Sequence, residues 1–63
     1  MMQLQELILE KRTTIKNIKN TMSAALQEIG YAIFVNGVNQ FQNDELELEQ
    51  GQKVVIIPQI SGG

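Results

Sequence analysis

The chain has 63 residues, a formal net charge of −2 at pH 7, and neither Cys nor His. The missing residue types exclude disulfides, thiolate chemistry, a zinc site and a histidine general base, and they leave only carboxylates for hard metals. We expect no metal site. A hydrophobic fraction of 43% is too high for a disordered chain. A chain of this length forms one domain, which we place at residues 1–63, with a flexible C-terminal tail at 58–63.

Composition also bears on location and partners. The opening Met1-Met2-Gln3 does not begin a signal peptide, and no apolar run approaches the ~20 residues of a membrane span. We therefore expect a cytoplasmic protein without a membrane partner. The net negative charge argues against nucleic acid, which favours a basic face. A late acidic stretch is either a solvated face or a patch that steers the C-terminus toward a basic partner; it contains Asp44, Glu45, Glu47 and Glu49.

The first half of the chain predicts an extended segment followed by a helix. Residues 3–10 form one strand, or two short strands with a tight turn near Gln5-Glu6. An apolar stripe with helical spacing follows, and it consists of Ile15, Ile18, Met22, Ala25, Leu26 and Ile29. Thr13 or Thr14 can cap the start of this helix, and Gly30 stands where a helix commonly ends.

The second half predicts strands. Residues 31–35 are rich in β-branched and aromatic side chains, and Asn36-Gly37 is a strong type I′ turn signal. Residues 38–41 return as a short extended piece, and residues 45–49 alternate as a half-buried strand does. In residues 53–57, every residue after Lys53 is apolar. This continuous apolar run predicts a central strand that is buried on both faces and is ended by Pro58.

This element order predicts an α+β fold in which a mixed sheet packs on one main helix. We expect the helix stripe to face the most apolar strands. The expected contacts join Ile18, Met22, Leu26 and Ile29 to Ile33, Val35, Val55 and Ile57.

The residues offer little catalytic chemistry, so we expect a protein that is not an enzyme. Ser23 and Ser61 have no His to activate them, and no glycine-rich phosphate loop is present. Glu47 and Glu49 share one side of a strand and fit its solvent face better than an acid pair. The function classes that remain are a carrier protein and a binding module.

The end of the chain is its most reactive feature. Gly62 and Gly63 have no side chains, so they can enter a channel too narrow for a Cβ and present a terminal carboxylate there. A frayed terminus is the alternative interpretation.

Several of these features together resemble the small ubiquitin-like sulfur carriers of thiamine and molybdopterin biosynthesis, which have a β-grasp fold. The resemblance covers roughly residues 14–63. It rests on the helix, the segment Tyr-Ala-Ile-Phe-Val-Asn-Gly at 31–37, the acidic stretch, Glu-Gln-Gly-Gln at 49–52, and the ending Ile-Pro-Gln-Ile-Ser-Gly-Gly at 57–63. The sequence departs from the family in having too few residues before the helix for a full N-terminal hairpin. The turn before the last strand is also Gln-Gly-Gln, where the family commonly has Asp-Gly-Asp.

The resemblance implies that partners do the chemistry. An adenylating enzyme of the ubiquitin-activating type would use ATP to activate the Gly63 carboxylate, and a persulfide would convert it to a thiocarboxylate. The sulfur acceptor would be a thiazole synthase or the large subunit of a molybdopterin synthase. No cofactor is expected on the carrier itself. We expect the docking surface at Phe34, Ile57, Pro58 and Ile60.

Two other functions fit the same residues. A ubiquitin-like protein modifier would join Gly63 to a lysine of a target and would share the adenylation step. A non-catalytic β-grasp interaction module would use only the docking surface.

Overall fold

A computed structural model describes residues 3–59 of the chain, and the statements below concern that part. In chain order its elements are β1 (Gln5–Ile8), β2 (Thr13–Thr14), α1 (Ile15–Asn20), α2 (Ala24–Ile29), β3 (Tyr31–Val35), β4 (Val38–Asn39), β5 (Glu47–Leu48) and β6 (Lys53–Pro58). The architecture is α+β, as predicted.

Four strands form the main sheet in the order β1-β6-β3-β4, and β2 pairs with β5 in a separate two-stranded sheet. Every strand pairing within residues 3–59 is antiparallel, so the mixed sheet that was expected is not found there. The N-terminal segment contributes one strand to the main sheet, and Gln5-Glu6 lies inside it rather than in a turn.

The direction of β1 follows from the connection that comes after it. Only four residues separate Ile8 from Thr13, which pairs with Leu48 just before β6 begins. The C-terminal end of β1 must therefore lie next to the N-terminal end of β6, so β1 runs antiparallel to β6.

The predicted helix is interrupted, so two short helices replace one. Residue 21 ends α1, where the Thr21 hydroxyl donates to the carbonyl oxygen of Ile18 at 2.7 Å. The Ser23 hydroxyl then caps α2 by accepting from the backbone N–H of Leu26. Thr and Ser compete with the helical backbone in this way, which explains why the apolar stripe continues while the helix does not.

The core lies between the helices and one face of the main sheet. Its members combine helix residues with alternate strand residues, namely Ile15, Ile18, Leu26, Tyr31, Ile33, Val35, Leu48, Val54 and Ile56. Met22 is half-buried against this cluster. Ile29 is 43% exposed, so its predicted place in the core was wrong.

Strand β6 is central, as predicted, but it is not buried on both faces. Val54 and Ile56 are fully buried, whereas Val55 is half-buried and Ile57 is 36% exposed. Val54 and Ile56 face the helices in place of Val55 and Ile57, so the predicted packing of Val55 and Ile57 against the helices was wrong. No second layer covers the other side of the sheet within residues 3–59, so burial alternates along the strand.

The turn between β3 and β4 matches its prediction. Asn36 and Gly37 have φ of 52° and 80°, the positive values that a type I′ turn needs at both central positions. The segments expected at 38–41 and 45–49 are shorter than predicted, and their strand parts are β4 and β5.

Candidate functional site: the outer sheet face and the end of the last strand

The side of the sheet that faces away from the helices carries an apolar surface. Phe34 lies opposite Val55 in the pairing of β3 with β6, and Ala32 lies opposite Ile57. These two pairs are neighbours on the same face, because residues two apart in a strand point to the same side. We call this set, Ala32, Phe34, Val55 and Ile57, the outer patch; Ile57 is its most exposed member at 36%, Phe34 and Val55 are half-buried, and Ala32 is buried. Two predicted docking residues, Phe34 and Ile57, thus belong to one surface.

Polar and charged side chains border the outer patch at one end. Lys53 is on the same face, two residues before Val55, and its ammonium lies 3.4 Å from the Glu6 carboxylate. Both side chains are more than half exposed, so this ion pair contributes little stability. It gives the apolar surface a charged rim, as protein interfaces commonly have.

Pro58 does not join the outer patch. It is the last residue of β6 and lies opposite Tyr31, a core residue. The alternation of side chains therefore puts Pro58 on the helix side, away from Phe34 and Ile57, and the docking role of these three residues stays a prediction. Ile60, Gly62 and Gly63 lie outside the described residues.

The last described residues are held by the sheet. The backbone N–H of Gln59 donates to the carbonyl oxygen of Gly30 at 3.0 Å. Pro58 is in a strand and Gln59 makes this bond, so these two residues of the tail predicted at 58–63 belong to the sheet. Residues 60–63 lie outside the described part of the chain.

Gly30 itself has backbone angles that few other residues adopt. Its φ is 89° and its ψ is 157°, a combination that is almost restricted to glycine. This conformation lets the chain leave α2 and enter β3 directly, while the N–H of Gly30 donates to Leu26 at 2.8 Å. The same residue thus ends a helix and anchors the end of β6.

Two aromatic rings and a lysine support this end of the sheet. The Tyr31 and Phe41 rings meet edge to face with centroids 5.1 Å apart. The Lys19 ammonium lies 4.0 Å from the Phe41 ring centroid, and it donates to the Phe41 carbonyl oxygen at 3.0 Å and to Asp44 at 2.7 Å. Burial raises the pKa of Tyr31 above 10.0, and the nearby positive charge of Lys19 partly opposes that increase.

A groove of about 590 Å³ opens beside these residues. Its lining is mostly amide and aromatic, and consists of Gly30, Tyr31, Asn39, Phe41, Gln42, Asn43 and Gln59. Lys19 is bound to Asp44, and the lining residues within 3–59 carry no formal charge, so this part of the chain offers no fixed charge there for an ionic ligand.

Two of the chain's own cations pair with part of the acidic stretch. Arg12 pairs with Glu47 and lies 3.9 Å from Glu49, while Asp44 pairs with Lys19. Two positive charges balance half of the four carboxylates, so a solvated face and a patch that steers the C-terminus toward a basic partner both stay predictions. Glu47 and Glu49 do share a side of the chain, but the cation between them makes an acid pair for catalysis a poor description.

Sequence reasoning missed Val55 and Ala32 in the outer patch, although a signal for Val55 was present. Lys53 opens β6 and must keep its charge in water, so a period of two puts Val55 and Ile57 on its solvent side. It also missed Gly30, Tyr31 and Gln59 at the end of β6. No signal in the sequence pairs Gly30 with Gln59, because their contact depends on the sheet register.

Within residues 3–59 there is no group of three or more acidic side chains placed to hold a metal ion. Neither of the two helices there is long and apolar enough to cross a membrane.

Comparison with known proteins adds no relative: no family model matches the chain, and neither a curated protein nor a solved structure matches it.

Proposed function

We propose that a chain ending at Gly63 is a sulfur carrier with a shortened β-grasp fold. Its C-terminal carboxylate is adenylated, becomes a thiocarboxylate, and donates sulfur in thiazole or molybdopterin formation. The observation that carries the proposal is the strand that precedes the diglycine in the sequence. This strand, β6, is central, is paired on both sides by β1 and by β3, and is followed by Gln59, which is bonded to Gly30.

The chemistry requires only the end of the chain and its partners. A Gly63 carboxylate oxygen attacks the α-phosphorus of ATP in the activating enzyme, and pyrophosphate leaves. The terminal sulfur of a persulfide then attacks the acyl carbon and displaces AMP. A thiol reduces the resulting acyl disulfide and is itself oxidised to a disulfide, which leaves the thiocarboxylate. Residues 60–63 span at most about 14 Å when extended, and glycine at the end suits a narrow channel.

The outer patch is the proposed docking surface for the activating enzyme. It is apolar, has a charged rim, and lies on β6, the strand that leads to the diglycine. Docking there would hold the base of the tail in a fixed relation to the partner's active site, which increases the effective concentration of the carboxylate. No ligand needs to bind to the carrier, and the proposed location remains the cytoplasm.

The decisive assay combines a chain ending at Gly63 with an activating enzyme, ATP and a persulfide donor, and measures intact mass. The expected result is one exchange of oxygen for sulfur. A Gly63→Val variant should remain unchanged, since its side chain blocks the channel. If the original chain is unmodified with activating enzymes from both the thiamine and molybdopterin pathways, the carrier proposal fails, and an interaction module that uses the outer patch becomes the better description.

The docking surface has its own test with a matched control. Ile57→Asp puts a charge into the outer patch. Val38→Asp puts the same charge on another apolar residue outside the core, which is 55% exposed at the tip of the β3–β4 hairpin. We expect Ile57→Asp to reduce the rate of adenylation at least tenfold and Val38→Asp to leave it within twofold. Equal rates for the two variants would show that the patch is not the docking surface.

A further inference from the structure

The first strand lies at an edge of the main sheet. No strand within residues 3–59 pairs with the side of β1 that faces away from β6. The opposite edge, β4, has only two residues, and short edge strands are a common protection against further pairing. Strand β1 has four residues and contains neither proline nor lysine, two other devices that block edge pairing. It is thus the less protected edge.

The hydrogen bonds next to β1 identify which of its backbone groups face this edge. Leu9 donates its N–H to Gln52 at 3.0 Å and accepts from Gly51 at 2.8 Å, so its polar groups point toward β6. Backbone groups alternate in direction along an antiparallel strand. The N–H and C=O groups of Glu6 and Ile8 therefore point away from β6, toward the open edge.

An apolar groove accompanies the same edge. It has a volume of about 570 Å³ and lies between β1 and α1, with Leu7, Leu9 and Ile18 among its lining residues. Ile8, which also lines the groove, is 62% exposed, and Leu4, just before β1, is 56% exposed. An added strand would satisfy the open backbone groups and cover these apolar side chains together.

We propose that a second copy of this chain occupies the edge, with the two β1 strands paired antiparallel about a two-fold axis at Leu7. Both copies then present the same surface, as a two-fold interface requires. The proposal concerns β1 alone and is independent of the chemistry at Gly63.

The charges and the length of the strand together select this register. Only registers that oppose residues with outward-facing backbone groups can form hydrogen bonds, which leaves three symmetric choices near the middle of β1. One opposes Glu6 to Glu6 of the second copy, and directly opposed like charges are destabilising. Another opposes Ile8 to Ile8 and overlaps only residues 7–9, because the chain bends at Glu10. The third opposes Glu6 to Ile8 and Gln5 to Leu9, and it brings the two Leu7 residues together over residues 5–9 without opposing like charges.

Cysteine cross-linking tests the register, because the chain has no native Cys. In this register the Leu7 Cα atoms of the two copies form a pair without mutual hydrogen bonds, about 4.5 Å apart, which a disulfide can bridge. Leu7→Cys should therefore form a covalent dimer on mild oxidation. Glu10→Cys is the control, since its two copies would be about 20 Å apart along the strands. Equal cross-linking of the two variants, or none for Leu7→Cys, would overturn the register.

Sedimentation equilibrium from about 10 μM to about 1 mM tests the interface without cysteines. The mass of the unaltered chain should rise from one chain toward two. Ile8→Pro removes an N–H at the open edge and should stay monomeric, whereas Ile8→Thr keeps that N–H and should still associate; dispersed NMR spectra establish that each variant is folded. A monomeric unaltered chain, or an Ile8→Pro variant that still associates, would overturn the proposal. No activating enzyme takes part, so this result is separate from the sulfur-carrier test.

Discussion

The backbone N–H of Gln59 donates to the carbonyl oxygen of Gly30 at 3.0 Å, and this bond joins the end of the last strand to the residue that ends the second helix. A Cβ built on Gly30 would lie 3.0 Å from Oε1 of Gln59. A larger residue at position 30 would therefore be destabilised in two ways. Its backbone would have to adopt a conformation that is almost restricted to glycine, and its Cβ would lie very close to the Gln59 side chain.

The first prediction is that Gly30→Ala lowers the free energy of unfolding by about 1–3 kcal/mol, the usual range for such backbone strain. The Gln59 side chain is flexible and can move aside, so we expect the backbone to account for most of the loss. Urea unfolding of Gly30→Ala, Gln59→Ala and the double variant separates the two effects. If the double variant recovers most of the stability, the contact with Gln59 dominates and the backbone explanation is wrong.

The second prediction concerns the two sides of β6. Ile56 is fully buried and Ile57 is 36% exposed, so removing one methylene group should affect them differently. Ile56→Val should lower the free energy of unfolding by about 0.5–1.5 kcal/mol, and Ile57→Val should stay within about 0.5 kcal/mol of the original chain. Denaturant midpoints of the two variants, measured side by side, provide the comparison. A larger effect at Ile57 would mean that its side of the sheet is covered.

The third prediction distinguishes two short helices from a continuous one. The Ser23 hydroxyl caps α2, so Ser23→Ala should lower the free energy of unfolding by about 0.5–2 kcal/mol. In a continuous helix the same change would stabilise the chain, because Ala has the higher helix propensity. Thermal or urea unfolding shows whether Ser23→Ala lowers or raises the free energy of unfolding. A stabilised Ser23→Ala variant would restore the uninterrupted helix that the apolar stripe predicts.

The fourth prediction concerns Tyr31, the one tyrosine in the chain. Burial raises its pKa and the charge of Lys19 lowers it, so Lys19→Met should raise the pKa further. Tyrosinate absorbance measured against pH reports this group alone. Lys16→Met, an exposed position on the same helix, is the matched control and should leave the titration unchanged. A lower pKa in Lys19→Met would contradict the proximity of the two groups.

The raised pKa of Tyr31 also predicts the direction in which the free energy of unfolding changes with pH. The folded chain holds the phenol proton more tightly than the unfolded chain does. The resulting stabilisation is complete below the unfolded pKa, near 10, and is lost as the pH rises through the higher folded value. Unfolding free energies should therefore decrease on the alkaline side of pH 10, and a Tyr31→Phe variant should show less of that decrease.

Local patterns in the sequence determined much of the secondary structure. The β-branched and aromatic run at 31–35 forms a strand because those side chains suit a pleated surface. Asn36 and Gly37 form the turn because both tolerate positive φ. The apolar helical stripe also identified Ile18 and Leu26 as core residues, since the spacing of side chains on a helix is a local property.

The side of the sheet to which Val55 and Ile57 belong had one signal in the sequence, Lys53 at the start of β6, because the four apolar residues after it do not alternate. Only the tertiary structure decided the direction of β1 and the contact of Gly30 with Gln59. Strand direction depends on where the short connection to Thr13 must arrive. The same holds for the outer patch, which exists because the register of β3 and β6 sets Phe34 against Val55. These features depend on contacts between residues far apart in the chain, and a pattern read along the chain does not contain that register.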